Sequence, residues 1–152
     1  NMGPWQHNIE MMLLGKYYQT PAYRPWMTVD VRDDAESDIG LLESDRVKNG
    51  ERYIAWSTDK HKVEDICTGI DRLLPELGHD TPQIIDPFPE RIQAREDELR
   101  DVWDGCELRN DRILSVTSVS FRDFDETLRD CVESLLTVAK VQPKLKPGFG
   151  TD

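Results

Sequence analysis

The feature of this sequence that most constrains its fold is a run of apolar residues at helical spacing in the middle of the chain. They recur three or four positions apart, the period that places side chains on one face of an α-helix. The run comprises Val63, Ile66, Cys67, Ile70, Leu73 and Leu74. Residues 57–59 (Ser-Thr-Asp) can cap the helix at its start, and Gly78 ends the segment. Because such a face must be buried against other elements, the pattern predicts a packed helical core.

Three more segments have the pattern of an amphipathic helix. The first spans residues 7–18, with an expected buried side of Ile9, Met12, Leu13 and Leu14. The second follows Asp30, with an expected buried side of Val31, Ala35, Ile39 and Leu42, and with Glu36, Ser37 and Asp38 facing water. The third starts at a capping-box pair and is expected to bury Leu128, Cys131, Val132, Leu135, Leu136 and Ala139. That pair is Asp123 and Glu126.

Short strands are predicted between these helices. Residues 26–30 are expected to form a strand or strand-like segment, and residues 52–56 the best strand, because Asn49-Gly50 is a strong turn signal. Residues 112–119 fit a strand or an irregular edge, residues 82–89 a Pro-rich linker, and residues 90–103 a polar helix. The predicted class is helix-rich, either α+β or the smaller lobe of an α/β protein, with one domain over residues 1–141 and a flexible tail over residues 142–152.

The charge of the chain limits its partners. A formal net charge of −11 disfavours nucleic acids and anionic membranes, whose phosphates would be repelled. No apolar run approaches the ~20 residues that span a bilayer, and no positively charged start leads into an apolar signal segment, so the expected location is cytoplasmic. The cysteines are sparse and lack a CxxC spacing, which favours reduced core thiols over nucleophiles or metal ligands. His61 and His79 have no ligand-spaced companions and are expected to be solvent-exposed.

Five segments, in one order, carry a resemblance to a known family. They are Met2-Gly3-Pro4, Trp26-Met-Thr-Val-Asp-Val-Arg-Asp33, Gly50-Glu-Arg-Tyr-Ile-Ala55, Leu73-Leu74-Pro75 and the stretch from Phe121 to Leu136. The second is similar to a VDVRD segment in which a strand runs into a helix, and the third to a G-x-R-Y/F-I strand. Together they resemble the carboxy-terminal, substrate-binding half of extended short-chain dehydrogenases/reductases, in the dihydroflavonol-reductase-like and fungal NAD-dependent epimerase/dehydratase-like branches. The resemblance covers residues 2–138 and implies a helix-rich lobe that lacks the amino-terminal Rossmann half.

The groups with which that family performs redox chemistry are missing from this sequence. The family binds NAD(P) through a Gly-rich turn, but none of the nine glycines forms G-x-G-x-x-G or G-x-x-G-x-x-G. Its proton donor is a Tyr with a Lys four positions later, and none of the four tyrosines has that lysine. We therefore expect no cofactor and no hydride transfer by this chain alone. Two accounts stay open, a fragment of a complete reductase and a stand-alone protein that kept the pocket-forming half, and we favour the second.

The resemblance also implies a substrate cleft. Its lining would comprise Gly3, Pro4, Trp5, Asn8, Met11, Met12, Tyr23 and Trp26. Aromatic and Met side chains suit a small apolar or aromatic substrate. The same side chains can equally fill a core, because Trp and Met are often buried for packing alone.

Three charged residues and one histidine are candidates for chemistry at that cleft. Asp30, Asp33 and His7 are possible general acids or bases, and Arg32 could hold a ligand oxygen. The structural alternative is that Asp33 caps the helix, Arg32 pairs with a carboxylate and His7 lies at the surface.

These observations predict a cofactor-independent enzyme of secondary metabolism, of the isomerase, cyclase or dehydratase type. Such an enzyme would preorganise its substrate and supply acid or base help. The alternatives are a fragment of an NAD(P)-dependent ketone or aldehyde reductase, and a non-catalytic subunit that docks on a full-length reductase. A half-fold exposes apolar surface, so a homodimer or a heteromer is expected to cover it.

Overall fold

Helices dominate the part of the chain that the structure, a computed structural model, describes. That part comprises residues 2–15, 26–57, 59–79 and 104–143. Its helices are α1 (Pro4–Leu13), α2 (Val31–Glu43), α3 (Val63–Glu76), α4 (Asp111–Val116) and α5 (Phe124–Thr137). Within those ranges, β-type pairing is limited to one isolated antiparallel bridge between Trp26 and His61. The helix-rich character of the predicted class is confirmed, whereas its short strands are not seen in the described residues.

The described residues divide into two compact units. Unit 1 holds residues 2–15, 26, 61–79, 104–105 and 128–143, and unit 2 holds residues 27–57, 59–60 and 106–127. Unit 1 therefore contains α1, α3 and most of α5, and unit 2 contains α2, α4 and the first residues of α5. Most of the predicted tail, the predicted linker and the predicted polar helix lie outside the described residues.

The core of unit 1 is built on α3, as its apolar spacing predicts. Its buried side chains are Val63, Ile66, Cys67, Ile70, Leu73 and Leu74 from α3, Ile9, Met12 and Leu13 from α1, and Leu128, Val132, Leu135 and Leu136 from α5. Helices α3 and α5 approach closely at Gly69 of α3, where a β-carbon would lie 2.7 Å from Cδ2 of Leu128 in α5. An ion pair between Glu76 and Arg129 joins the same two helices at the surface. The predicted buried faces of α1, α3 and α5 are confirmed in these positions.

The ends of α3 follow local hydrogen bonding. The carboxylate of Asp65 accepts a hydrogen bond from the backbone N–H of Lys62 at 2.9 Å, so the helix starts at Val63 and the predicted cap at residues 57–59 is wrong. At the other end Gly78 adopts a φ of 82°, as predicted for a helix stop. The N–H groups of residues 78 and 79 then return to the carbonyls of residues 75 and 74, the Schellman pattern.

The other two helices of unit 1 differ from prediction at their ends. α1 begins at Pro4 rather than at residue 7, because proline is favoured in the first turn, where its missing N–H costs nothing. It ends at Leu13, and residues 16–18 of the predicted helix lie outside the described residues. α5 begins after Asp123, whose carboxylate accepts the N–H of Glu126 at 2.8 Å as predicted. Ala139 lies beyond the helix and is exposed, so its predicted burial is wrong.

Helix α2 forms where predicted, but the opposite face points inward. Val31, Ile39 and Leu42 are 78%, 55% and 87% exposed, whereas Asp33 and Ser37 are each 1% exposed. The predicted burial of the apolar side, and the predicted exposure of Ser37, are therefore wrong. The physical reason is the packing of the polar side, where Asp33 binds an arginine and α2 packs against α4.

The strands predicted in unit 2 are absent from its described residues. Residues 52–56 have no ladder partner there, and two of their backbone carbonyls accept from side chains instead: Arg112 donates to the carbonyl of Arg52 at 2.9 Å, and Asn110 to that of Trp56 at 3.0 Å. The segment predicted as a strand or edge over residues 112–119 begins instead as the helix α4. None of the described helices combines the length and the apolar character needed to cross a membrane.

A pair of leucine truncations tests both the core of unit 1 and the orientation of α2. We expect Leu128→Ala to lower the free energy of unfolding by about 2–5 kcal/mol, because the fully buried side chain leaves a cavity. Leu42→Ala should change it by no more than about 0.5 kcal/mol, because that side chain lies in solvent. Urea denaturation followed by circular dichroism measures both, and equal losses would contradict the orientation of α2.

Candidate functional site

The first candidate site is the aromatic pair of Trp5 and Trp26 in unit 1. The ring centroids lie 5.0 Å apart with an interplanar angle of 61°, an edge-to-face contact, and both residues are half-buried. Trp5 is held by the first turn of α1, and Trp26 by its bridge to His61, with N···O distances of 2.7 and 3.0 Å. The structure thus brings together two of the predicted cleft residues. Tyr23, another residue of the predicted cleft, lies outside the described residues.

The other predicted cleft residues divide between the two sides of α1. Asn8 and Met12 follow Trp5 at i+3 and i+7, which places them on its face of the helix. Met12 is fully buried and belongs to the core, whereas Asn8 is half-buried. Met11 is also half-buried and lies off that face, and at the start of the helix Gly3 is half-buried and Pro4 exposed.

His7 lies on the solvent side of α1. It is two residues from Trp5, which places it on roughly the opposite face of the helix. Its side chain is 60% exposed, and its Nδ1 lies 3.2 Å from Oε2 of Glu10. The geometry therefore supports the surface role that was weighed for His7, and it places the imidazole away from the aromatic pair.

The thiol beside the aromatic pair is unreactive at neutral pH. Burial raises the pKa of Cys131 to about 11, although a hydrogen bond from the Trp5 side chain lowers it in part. Because the thiolate is the nucleophile, a thiol with so high a pKa is a packing residue. Cys67 is fully buried in the core as predicted, whereas Cys106 is exposed and does not fit the predicted core role.

The second candidate site is a charged cluster at the start of α2 in unit 2. Asp30 is the N-cap, and its carboxylate accepts the backbone N–H of Arg32 at 2.9 Å. The Arg32 guanidinium binds both carboxylate oxygens, with Nε at 2.8 Å and a terminal nitrogen at 2.7 Å. The hydroxyl of Thr127 donates a fourth hydrogen bond to this carboxylate, at 3.0 Å. The helix was expected to be capped by Asp33, and this expectation is wrong, because Asp30 is the residue with extended backbone before the first turn.

These contacts explain the acidity of Asp30. Hydrogen bonds from the Arg32 side chain hold the pKa of this carboxyl well below its usual range, against the opposing effect of burial. The Arg32 backbone N–H, the Thr127 hydroxyl and the Arg32 charge lower it further. A general base works best with a pKa near the working pH, so an ionised carboxylate with four donors is better suited to structure than to proton transfer.

Asp33 is the buried end of the same cluster. Its side chain is 1% exposed, and Oδ2 accepts the backbone N–H of Arg122 at 2.7 Å. The Arg122 guanidinium pairs with its other oxygen. The same guanidinium lies 3.2 Å from Glu126 and 3.7 Å from Glu36. Both carboxylate oxygens of Asp33 are therefore bound by Arg122, and the geometry favours a structural role for Asp33 as well.

Sequence reasoning singled out one side of this cluster and missed the other. The junction at residues 30–33 was visible as a strand-to-helix boundary rich in charge. Arg122 and Thr127 were not expected to bind there, although both flank the recognised capping-box pair. Arg32 was expected to pair with a carboxylate, and it does, with Asp30 and more distantly with Glu126 at 3.8 Å.

The structure also describes the two remaining histidines, His61 and His79. His61 and His79 are half-buried rather than exposed, because the first pairs with Trp26 and the second closes the end of α3 through its backbone N–H.

Within residues 2–15, 26–57, 59–79 and 104–143, no group of three or more His, Cys, Asp or Glu side chains is arranged to hold a metal ion. An open depression of unit 2 is lined by residues 107–111, none of which was a predicted site residue.

Comparison of this chain with models of protein families, with curated proteins and with solved structures finds no match.

The charge on Asp30 should stabilise the protein in a pH-dependent way. Asp30→Asn keeps a side-chain acceptor for the cap but removes the charge that Arg32 binds, so we expect a loss of about 1–3 kcal/mol at pH 7. Because the folded pKa is lowered, the unfolded chain takes up the proton first. The contribution is therefore complete above a pH of about 4 and shrinks as the pH falls below it.

Urea denaturation between neutral and acid pH measures this effect. The difference between wild type and Asp30→Asn should narrow as the solution becomes more acid. Asp38→Asn on the exposed side of the same helix is the matched control and should stay within about 0.5 kcal/mol of wild type. A difference between wild type and Asp30→Asn that stays constant down to low pH would refute the charge as its source.

Proposed function

We propose that this chain is a small-molecule-binding domain of the short-chain dehydrogenase type, without an NAD(P) site of its own, which binds an apolar or aromatic ligand against Trp5 and Trp26. The observation that carries the proposal is the half-buried edge-to-face pair at 5.0 Å. Two indole rings that are partly covered and partly open present a large, rigid apolar surface. The family resemblance supplies the class of domain, and this surface supplies the class of ligand.

The surroundings of the pair have the composition of a small-molecule site. Met12 is fully buried on the same face of α1 as Trp5, and the half-buried Asn8 adds a polar side chain on that face. Ligand sites combine mostly apolar walls with a few polar groups that fix orientation. A flat, largely apolar compound with one hydrogen-bonding group fits this description.

The activity that we assign to such a site needs no cofactor. An isomerase, cyclase or dehydratase of secondary metabolism gains rate when a flexible substrate is held in its reactive conformation. The acidic candidates Asp30 and Asp33 are both engaged by arginines, and His7 lies on the far side of α1. We therefore assign preorganisation by the aromatic pair, rather than proton transfer by these three residues, as the contribution of the chain.

Two other functions make different predictions for the same protein. A fragment of an NAD(P)-dependent reductase would need its missing half to bind NADPH, and a docking subunit of a reductase would need no ligand at the aromatic pair. Neither is favoured by a contact in the described residues. Ligand titration separates the docking subunit from the proposed domain, because only the domain would bind a ligand at the aromatic pair.

Ligand binding can be followed through an apolar reporter dye. We expect Nile red to bind with a saturable rise in its fluorescence, and we expect Trp5→Leu and Trp26→Leu each to weaken that binding roughly tenfold, because each removes one ring of the pair. Trp56→Leu in unit 2 is the matched control and should leave the affinity unchanged. NADPH titrated into the same protein should give no saturable signal.

Each outcome of this titration decides between functions. Equal weakening by all three substitutions would place dye binding elsewhere and contradict the proposed site. Saturable NADPH binding would restore the cofactor chemistry of a reductase and overturn the proposal of a cofactor-free domain. Circular dichroism of each variant establishes that a lost signal reflects the site and not unfolding.

A further inference from the structure

The outward side of α2 carries an apolar stripe along most of its length. We call the α2 outer stripe the four residues Val31, Ala35, Ile39 and Leu42. They are spaced four, four and three positions apart and lie on one face of the helix, over a length of about 17 Å. All four are exposed, with Leu42 at 87% and Val31 at 78%.

The orientation of α2 fixes this stripe at the surface. Asp33 on the opposite side is buried and ion-paired with Arg122. About two turns further along, a β-carbon on Gly40 would lie only 3.0 Å from the side chain of Thr117, so the helix backbone lies very close to the rest of unit 2 there. Turning the stripe inward would break the ion pair and place larger side chains where this close contact now lies. The stripe can be covered only by another molecule or another part of the polypeptide.

Carboxylates border the stripe along its length. Asp34 and Asp38 lie along one edge of the stripe. Glu43 lies beside the opposite edge, at the carboxy-terminal end of α2. All three are exposed, and no ion pair from the described part of the chain reaches their carboxylates. The apolar centre is thus framed by negative charge that has no described counterion within unit 2.

We propose that the α2 outer stripe is a docking surface for a cationic amphipathic helix of a partner protein. Such a helix would place apolar side chains at i, i+3, i+4 and i+7 against the stripe, and Lys or Arg beside Asp34, Asp38 and Glu43. A second copy of this chain fits poorly, because both copies would bring acidic borders together and each has a formal net charge of −11. An anionic lipid surface is disfavoured by the same charge. The inference is independent of the proposed ligand site, which lies in unit 1.

The test uses the whole chain and a synthetic helical peptide of Leu and Lys with that spacing. Fluorescence anisotropy of the labelled peptide should show saturable binding that weakens as salt is added, because part of the attraction is between exposed charges. Leu42→Asp and Ile39→Asp should each weaken binding roughly tenfold or more, because each places a charge in the centre of the interface. Val138→Asp is the matched control, because Val138 is also 78% exposed but lies outside α2, and it should leave the affinity within about twofold.

Two further peptides and one measurement of mass complete the experiment. A scrambled peptide with the same charge should bind much more weakly, and a Leu and Glu peptide with the same spacing should not bind. Equal binding of the scrambled peptide, or unchanged affinity of Leu42→Asp, would overturn the proposal. A concentration-dependent dimer in sedimentation that Leu42→Asp abolishes would overturn it in favour of a second copy. Nile red binding by Leu42→Asp should remain at the wild-type level, so failure here is distinguishable from failure of the ligand site.

Discussion

The ion pair between Asp33 and Arg122 decides which way α2 faces. A carboxylate that is 1% exposed is stable only when it is paired and hydrogen-bonded, and Arg122 supplies both its guanidinium and its backbone N–H, the latter at 2.7 Å. With this contact made, the polar side of the helix lies inward and the apolar side outward. The exposed stripe on α2 follows from that one choice.

The parts of the fold that the sequence predicts well are those in which an apolar face is buried against another apolar face. The spacing in α3 places every one of its six predicted side chains in the core, and α5 matches it along most of its length. The errors fall where a distant polar partner overrides the local pattern. Arg122 is 89 residues from Asp33, and the side chains that bind the carbonyls of residues 52 and 56 come from residues 112 and 110. Periodicity carries no information about such partners.

The candidate site could also be predicted only in part, because its decisive contacts come from residues that are distant in the sequence. The resemblance placed Trp5 and Trp26 in the lining of one cleft but not next to each other, and the structure shows their rings in edge-to-face contact, which periodicity does not indicate either. The same resemblance drew attention to Asp30 and Asp33, whose position at a helix start is visible in the sequence. The decisive facts about these carboxylates are their bonds to Arg32, Thr127 and Arg122, and two of those three residues come from another part of the chain.

The saturation of Asp30 bears on what kind of function the chain can have. All four of its hydrogen bonds are made to the ionised form, so any step in which it took up a proton would release the bonds that hold the start of α2. Proton transfer through Asp30 would therefore work against the stability of unit 2. The proposed ligand site does not depend on this carboxylate, because the four hydrogen bonds of Asp30 come from Arg32 and Thr127 and from neither indole.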